Sequence, residues 1–303
     1  MYHQAVLLQE TIQGLQIEPS GIYVDVTFGS GGHSREILSR LANGRLFGFD
    51  QDPDAALNTI SDERFTFIQG NFRHLKNFLR LYQVSSIHGL LADLGISSWQ
   101  IDEPSRGFST RSDGHLDMRM DKKQALDAFH VVNHYEEDAL ARIFKEYGEL
   151  EHPRQLARQI IEKRAASAIS TTAQFKEALL PVSPRGKENQ FLSKAFQAVR
   201  IEVNDELESL KELLIQSRDL LTESGRIAVI SYHSLEDRLV KNFFRAGNFE
   251  GIIEKDFYGH EITPLRPVFR KAMVPRDAEL LANPRARSAK LRIAEKKTDR
   301  HGK

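Results

Sequence analysis

A short apolar run followed by a glycine-rich turn constrains the fold of this chain more than any other feature. Residues 23–28 (YVDVTF) are typical of a buried strand, and residues 29–32 (GSGG) place three glycines in four positions. Residues 35–41 (REILSRL) then have the apolar spacing of an amphipathic helix. This unit binds the charged end of a nucleotide-like cofactor, because the backbone approaches the ligand closely and N–H groups of the helix start face it.

The glycine turn alone does not decide between two classes of cofactor. A dinucleotide site would have glycine at the sixth position counted from Gly29, where this chain has Ser34. Asp50 follows the next predicted strand and suits either class, because a carboxylate there holds ribose hydroxyls. S-adenosylmethionine also contains ribose and adenine, with a methionine tail in place of the pyrophosphate. A tight turn without a ligand is the third interpretation.

The alternation of strands and helices continues after the glycine turn. Strands are predicted at 46–50, 65–68 and 87–93, with helices from Pro53 and over 75–82. Strands separated by helices predict an α/β fold with a parallel, doubly wound sheet. A site is then expected at the carboxyl ends of the strands.

The alternation stops in the middle of the chain. A polar loop over 104–121 is followed by helical patterns only, and the alternation returns with a helix over 205–221 and a strand over 226–232. The middle of the chain is therefore predicted to be a helical insertion between the fourth and fifth strands. The predicted domains are 1–103 with 205–303, and 104–204.

The two ends of the chain also carry weak patterns. Residues 1–21 predict a lead-in helix that ends before Pro19. Segments 267–274 and 289–294 are predicted as closing edge strands, and the polar tail from Glu295 is predicted to fray.

Composition excludes several classes of function. The chain has no cysteine, which excludes disulfides, iron–sulfur clusters, thiolate zinc sites and the zinc-dependent base deaminases. No apolar run approaches the roughly 20 residues that span a bilayer, and no secretory signal is visible. The sequence therefore predicts a cytoplasmic protein with no membrane partner.

Basic residues are concentrated in two regions although the formal net charge is zero. Lys and Arg outnumber Asp and Glu by nine to three over 153–200, and by twelve to four over 264–303. Such regions suit a polyanionic partner, and solvated helix faces with a basic tail are the alternative.

Candidate site residues follow the predicted strands. Asp50 is expected to hold the ribose, and Asn71 with Phe72 the adenine, although packing is the alternative role of Phe72. Asp93 ends the fourth strand, where either a crevice carboxylate or an Asx turn is expected. His233 follows the fifth strand and is expected to point into the crevice, with packing as its alternative role.

Two further patterns predict structural roles. Ser234 and Asp237 have the spacing of a helix cap pair. The evenly spaced aspartates of residues 113–121 do not match a calcium loop, and His130 and His134 lack the H-E-x-x-H pattern. No metal site is therefore predicted.

Eight motifs lie along nearly the whole chain: 25–34 (DVTFGSGGHS), 48–53 (GFDQDP), 93–98 (DLGISS), 106–109 (RGFS), 116–121 (LDMRMD), 196–204 (FQAVRIEVN), 231–238 (SYHSLEDR) and 283–292 (NPRARSAKLR). Together they closely resemble the motifs of the bacterial 16S rRNA cytosine-N4 methyltransferases of the RsmH/MraW type. The chain departs from the family pattern at Ser30, where arginine is usual, and at Trp99, where proline is usual. It also lacks the family's His-Pro-Ala-Thr-Arg run before Phe196.

The resemblance implies a class I (Rossmann-like) methyltransferase domain interrupted by a helical domain that recognises rRNA. It implies S-adenosylmethionine as the donor. The implied acceptor is the exocyclic N4 amine of a cytidine in the decoding region of 16S rRNA, within the small ribosomal subunit. By their positions in the motifs, the cofactor contacts are assigned to Gly31, Gly32, His33, Asp50, Phe72, Asp93 and Gln100.

The acceptor chemistry suggests which residues act on the base. The cytosine amine is a weak nucleophile because its lone pair is delocalised into the ring, so hydrogen-bond acceptors near it favour the reaction. We hypothesise that Asp93, Ser97 and Ser98 orient the base and that His233 assists them.

The base is expected to be flipped out or single-stranded, stacked on Trp99 or Phe108. A non-catalytic RNA-binding or ribosome-assembly factor is the alternative function, and an NAD-linked oxidoreductase is disfavoured by Ser34. The oligomeric state stays open, with a homodimer as one option.

Overall fold

The computed structural model describes residues 5–298 of the chain. Within them, the strands are β1 (Ile22–Asp25), β2 (Arg45–Asp50), β3 (Phe65–Gln69), β4 (Ile87–Asp93), β5 (Leu221–Ser231), β6 (Leu265–Pro267) and β7 (Lys290–Lys296). The α-helices are α1 (Leu8–Leu15), α2 (Gly32–Arg40), α3 (Leu75–Leu81), α4 (Ser98–Asp102), α5 (Ala128–His134), α6 (Glu137–Glu146), α7 (Pro153–Ala166), α8 (Thr172–Leu179), α9 (Glu188–Asn204), α10 (Glu206–Leu220), α11 (Ser234–Ala246) and α12 (Asp277–Ala282).

The chain folds into two compact units. The first runs through Gly95 and resumes at Leu207, and we call it the sheet unit. The second is Ile96–Glu206, and we call it the helical unit. The boundaries predicted from the sequence lie at 103/104 and 204/205, against 95/96 and 206/207 in the structure.

The sheet unit contains one mixed sheet with the strand order β3-β2-β1-β4-β5-β7-β6. Strands β1 to β5 run parallel, and β7 pairs antiparallel with both β5 and β6. Because the chain moves outward from β1 in both directions, the loops after β1 and β4 diverge and leave a crevice at the carboxyl ends of these strands. The predicted doubly wound α/β fold is confirmed.

Both faces of the sheet are buried, as its alternating side chains require. On one face Tyr23 and Leu91 pack in a core with residues of α1 and α2. On the other face Val24 and Leu90 pack in a core with residues of α3, α10 and α11. Each fully buried side chain of this size contributes about 1.5–3 kcal/mol, so the two cores hold the strand ends in fixed positions.

The helical unit has a separate apolar core. It includes Leu116, Val131, Leu140, Phe144, Leu156, Phe175, Phe196 and Val199. The polar loop before α5 is fixed by buried side chains: Arg106 Nη2 donates to the carbonyl oxygens of Arg119 (2.9 Å) and Met120 (3.2 Å). Asn204 at the end of α9 accepts from the backbone N–H of Met120 at 2.8 Å. The RGFS and LDMRMD segments thus have a structural role in this loop.

The structure corrects two predictions in the second half of the sheet. Strand β5 begins at Leu221, five residues before the predicted start, because Leu221 already pairs with Ile87 ahead of a register shift. The predicted edge strand over 267–274 is wrong, since β6 ends at Pro267. Beyond Pro267 the backbone N–H of Val268 still donates to the carbonyl oxygen of Ile293 at 2.9 Å, and Met273 then forms an isolated bridge with Leu291.

Further corrections concern the chain ends and the segment after β2. Glu295 and Lys296 belong to β7 instead of a frayed tail, because Glu295 accepts hydrogen bonds from Arg226 and Arg266. The segment that begins at Pro53 is a 3-10 helix, and the lead-in helix is limited to α1. Residues 1–4 and 299–303 of these predictions lie outside the described residues.

Among the described residues, no helix has both the length and the apolar character needed to cross a bilayer.

Candidate active site

Three aspartates end neighbouring strands of the sheet unit. Asp25 is the last residue of β1, Asp50 of β2 and Asp93 of β4. Since these strands are adjacent and parallel, the carboxylates lie along one edge of the sheet. Asp25 is only 1% exposed, whereas the Asp93 side chain is 22% exposed. Asp93 is therefore the more accessible of these two carboxylates, and Asp25 lies beneath the surface.

The carboxylates fix the glycine turn between β1 and α2. Asp50 Oδ2 accepts a hydrogen bond from the backbone N–H of Gly29 at 2.8 Å. Asp25 Oδ2 accepts from the Ser34 hydroxyl at 2.7 Å. Gly31 precedes the first turn of α2 with a φ of 76°, and a Cβ there would lie 2.9 Å from the Phe28 ring. Only glycine fits this position without displacement of its neighbours.

Asp93 is held from three directions. Its backbone N–H donates to the Thr27 hydroxyl at 2.6 Å, and the Tyr232 hydroxyl donates to Asp93 Oδ1 at 2.8 Å. Asp93 Oδ2 lies 3.9 Å from His33 Nδ1. His33 and Asp93, both predicted from the sequence, are thus brought together, and the carboxylate of Asp93 lies between α2 and the residue after β5.

Burial controls the protonation of this cluster. It raises the pKa of Asp25 to about 6 and that of Asp50 to about 6, against the lowering effect of their hydrogen-bond donors. Burial, together with the nearby charges of Asp25, Glu236 and Glu279, raises the pKa of Asp93 to about 7. The carboxylates are therefore close to their titration range at neutral pH.

His33 is neutral in this environment. Its Nε2–H donates to the carbonyl oxygen of Val6 at 3.0 Å, because a carbonyl can only accept. Burial lowers the pKa of His33 to about 4. The lone pair on Nδ1 consequently faces Asp93. The backbone N–H of Leu7, next in the chain, donates to Glu279 at 2.7 Å.

A cluster of buried carboxylates selects a cationic ligand. Each acidic group raises the pKa of its neighbour, so a positive charge bound among them would be stabilised. An anionic pyrophosphate would be repelled at the same place. S-adenosylmethionine carries a sulfonium and an ammonium group, so the carboxylates of the site suit this cofactor better than they suit a dinucleotide.

The predicted adenine contacts lie in the loop after β3. Phe72 is half-buried at the start of a 3-10 turn and packs against the core. Asn71 Nδ2 donates to the side chain of Gln51, which follows β2, at 2.9 Å. Arg73 forms an ion pair of 2.6 Å with Glu212 of α10. The loops after β2 and β3 are therefore connected beside Asp50.

His233 has a structural role that the sequence did not predict. It is the N-cap of α11, where its ring accepts from the backbone N–H of Glu236, and Glu236 in return accepts from the His233 N–H. The predicted cap pair of Ser234 and Asp237 is wrong by one residue, since helical geometry begins at Ser234. Asp237 instead accepts from Arg292 at 2.6 Å.

The remaining predicted residues belong to the helical unit. Ser97 caps α4 in a capping box with Gln100, which is 4% exposed, and Ser98 is the first residue of that helix. Trp99 is 60% exposed, as a stacking residue requires. Phe108 is buried in the core of the unit, so the prediction that it stacks on the base is wrong. Within the sheet unit the structure brings together Gly31, Gly32, His33, Asp50 and Asp93.

Sequence reasoning missed three residues that support the site. Asp25 and Thr27 flank the end of β1, and Thr27 links the two aspartates because it donates to Asp25 and accepts from the backbone of Asp93. Tyr232 directly follows β5. The rule that selected Asp50 and Asp93, a polar residue at the end of an apolar strand, would also have selected Asp25 and Tyr232.

We expect Asp25→Asn to change the pH dependence of stability. In the folded chain the pKa of Asp25 is about 6, above its ordinary value of 3.8. The protonated carboxyl therefore contributes its full stability below about pH 4, and this contribution is lost as the pH rises through about 6. The difference in unfolding free energy between the variant and the native chain should therefore shift in favour of the variant by on the order of 3 kcal/mol from pH 4 to pH 7. Urea unfolding at both pH values measures this gain. Asp62→Asn, at an aspartate outside the cluster, is the control, and a pH-independent effect of Asp25→Asn would contradict the expectation.

Comparison with known proteins shows the family of the chain. The model of the MraW methylase family matches residues 1–297. A ribosomal RNA small subunit methyltransferase H of Amoebophilus asiaticus (strain 5a2) is 54% identical over 297 residues, which cover 97% of this chain and 96% of that protein. The protein of the same name from Flavobacterium johnsoniae is 55% identical over 296 residues, 97% of this chain and 98% of that protein. An rRNA methylase structure from Streptococcus thermophilus has a TM-score of 0.41 and 12% identity, over 96% of this chain and 93% of that chain. The chain belongs to the MraW methylase family, and as a methyltransferase it has S-adenosylmethionine as its cofactor.

Proposed function

We propose that the chain methylates the exocyclic N4 amine of a cytidine in the decoding region of 16S rRNA. The observation that supports this best is the carboxylate of Asp93, which is partly exposed at the crevice and has its pKa raised to about 7 by burial. Such a group can accept a hydrogen bond from an amine and then its proton near neutral pH. The matched relatives are named small-subunit rRNA methyltransferases, which supports rRNA as the substrate class.

The proposed mechanism depends on the hydrogen bond and the proton transfer from the amine to Asp93. When bound, the cofactor would supply an electrophilic methyl group, with its sulfur as the leaving group. An amine that accepts this methyl group would become more acidic and would have to lose one proton. Asp93 accepts a hydrogen bond from the amine, stabilises the developing positive charge and receives that proton.

The proposed cofactor contacts are Gly31, Gly32, His33, Asp50, Phe72, Asp93 and Gln100. The position of Gly31 and Gly32 at the start of α2 supports the first two. Asp50 is proposed to bind the ribose hydroxyls and Phe72 to pack on the adenine, while Ser97 and Ser98 are proposed to orient the base with Asp93. For His233 we propose only an auxiliary role, since it caps α11.

We propose that the helical unit recognises rRNA through its basic side chains. Lys163, Arg185 and Lys187 are exposed, and a phosphate backbone is bound mainly by such groups. The same segment of the chain has few acidic residues.

Reversal of two of these charges should weaken rRNA binding selectively. We expect Arg185→Glu with Lys187→Glu to lower affinity for small ribosomal subunits by about tenfold or more and to reduce its salt dependence, because two phosphate contacts are lost. Filter binding at several salt concentrations measures both effects. Lys123→Glu with Lys145→Glu, two exposed lysines of the same unit outside the basic segment, is the matched control. Equal losses for both pairs would indicate a non-specific charge effect.

The proposed reaction is tested by identifying the methylated nucleoside. The protein is incubated with labelled S-adenosylmethionine and small ribosomal subunits from a strain that lacks the enzyme, and the digested RNA is analysed. N4-methylcytidine at one position is the expected product, and subunits from the unaltered strain should accept no label. Intact cofactor binding without transfer would instead point to an unsuitable substrate, whereas the absence of both cofactor binding and transfer would favour a non-catalytic RNA-binding or assembly factor.

A further inference from the structure

We propose that Tyr232 is a positioning residue that directs Asp93 Oδ2 towards the target amine by occupying Oδ1. The inference rests on the proposed role of Asp93 in methyl transfer. The Tyr232 hydroxyl donates to Asp93 Oδ1 at 2.8 Å, whereas Oδ2 is 3.9 Å from the nearest histidine nitrogen, beyond hydrogen-bond distance.

The ring of Tyr232 is fixed by its surroundings in the sheet unit. It follows the last residue of β5 and packs against the core on the α1 and α2 face of the sheet. Its backbone N–H donates to Glu236 Oε2 at 2.9 Å, and a Cβ on Gly95 would lie 3.7 Å from the ring. The hydroxyl therefore reaches Asp93 from a fixed direction.

Tyr232 is a permanent donor. Burial, followed by the charge of Asp93, raises the pKa of the phenol well above its usual range, so it keeps its proton throughout the working pH range. It can stabilise the Asp93 carboxylate by a hydrogen bond but cannot accept the proton released by the amine. The proton must therefore be received elsewhere on Asp93.

The second oxygen faces a group that does not compete with the amine. His33 uses its Nε2–H on the Val6 carbonyl, so Nδ1 presents a lone pair to Asp93 Oδ2 and not a donor. When the amine gives up its proton, Oδ2 becomes a carboxylic acid hydroxyl and Oδ1 keeps its bond from Tyr232.

The charged groups around Asp93 raise its pKa, and the neutral hydroxyl of Tyr232 opposes them. Asp25 from β1, Glu236 from α11 and Glu279 from α12 raise the pKa of Asp93, and His33 is neutral. The hydrogen bond from Tyr232 lowers that pKa. Loss of the hydroxyl should therefore move the titration of Asp93 to higher pH.

The test compares Tyr232→Phe with the native chain in two independent measurements. Carbon-13 NMR of aspartate-labelled protein follows the carboxyl titration without RNA, and Asp93→Asn assigns the signal. We expect the Asp93 midpoint to rise by about one pH unit, because a hydrogen bond to a charged group is lost. The acid limb of the kcat profile should move equally, which lowers the rate about fivefold at pH 7 and leaves it within about twofold at pH 9.5.

Tyr23→Phe is the matched control. Tyr23 is buried on β1, and its hydroxyl accepts a hydrogen bond from the backbone N–H of Glu18 at 2.8 Å. This variant therefore also loses one buried tyrosine hydroxyl. Both the midpoint and the rate profile should stay unchanged in it, and cofactor affinity should stay within about twofold in both variants.

Each outcome bears on the inference. An unmoved Asp93 midpoint in Tyr232→Phe overturns it. A moved midpoint with an unmoved rate profile also overturns it, and locates the error in the proposed role of Asp93. If Tyr232→Phe fails to fold, fluorotyrosine at position 232 replaces it. The more acidic phenol is a stronger donor, so both midpoints should then move to lower pH, and no shift would contradict the inference.

Discussion

Replacement of Asp93 by asparagine is expected to lower kcat for methyl transfer by about 10²–10⁴-fold, while the Kd for S-adenosylmethionine stays within about threefold. Asparagine has the same shape, and its amide oxygen can still accept from the Tyr232 hydroxyl. Its NH₂ group would replace Oδ2, and this group neither accepts a hydrogen bond from an amine nor takes its proton. The loss should therefore fall on the chemical step.

Single-turnover transfer of labelled methyl groups measures the loss, and calorimetric titration measures cofactor binding. Asp62→Asn is again the control, because its carboxylate pairs with Arg64 before the amino end of β3, whereas Asp93 lies at the carboxyl end of β4. A variant that binds the cofactor and transfers methyl groups at the native rate would show that Asp93 does not act on the amine. A large loss of cofactor affinity would instead assign Asp93 mainly to the cofactor.

Replacement of Asp50 by alanine is expected to raise the Kd for S-adenosylmethionine by about 10²-fold. The native carboxylate accepts from the backbone N–H groups of Gly29 and Asp52, at 2.8 and 2.9 Å. Its loss frees the glycine turn and removes the proposed ribose contact. Hydrogen bonds to a charged group are worth about 1.5–3 kcal/mol each, so the loss of one or two such bonds from the ribose hydroxyls accounts for an effect of this size.

Calorimetric titration against the same cofactor checks this result. Glu36→Ala is the matched control, since Glu36 lies on α2 and forms only a surface ion pair with Arg40. Adenosine should lose as much affinity as S-adenosylmethionine if the ribose contact is responsible. An unchanged Kd for adenosine would show that Asp50 acts only through the glycine turn.

The regular part of the fold was predictable because local signals and tertiary packing agree there. The apolar runs that became β1, β2 and β4 are short and bounded by polar residues, and each ends on a buried or half-buried aspartate. Because both aspartates directly end such runs, Asp50 and Asp93 could be predicted at the edge of the sheet. Gly31 was identifiable because few residues other than glycine adopt its backbone conformation.

The errors arose where contacts distant in sequence decide the local structure. Glu295 resembles a residue of a polar tail, yet ion pairs with Arg226 of β5 and with Arg266 hold it in a strand. His233 caps α11 although Ser234 is the better cap by residue type, because β5 ends early enough for Glu236 to complete the capping box. Phe108 has the chemistry of a stacking residue, and only the core of the helical unit shows that it is buried.

The pairing of β4 with β5 has a consequence for how the polypeptide acquires its structure. These strands are neighbours in the sheet, although the whole helical unit lies between them in the chain. The entropy lost in closing such a long loop grows with its length, and each halving of the effective length lowers that loss by about 0.6 kcal/mol. The helical unit has its own core and is synthesised before β5 emerges. Its early collapse would shorten the flexible chain to be closed, so the order of folding during translation favours the correct pairing of β5 beside β4.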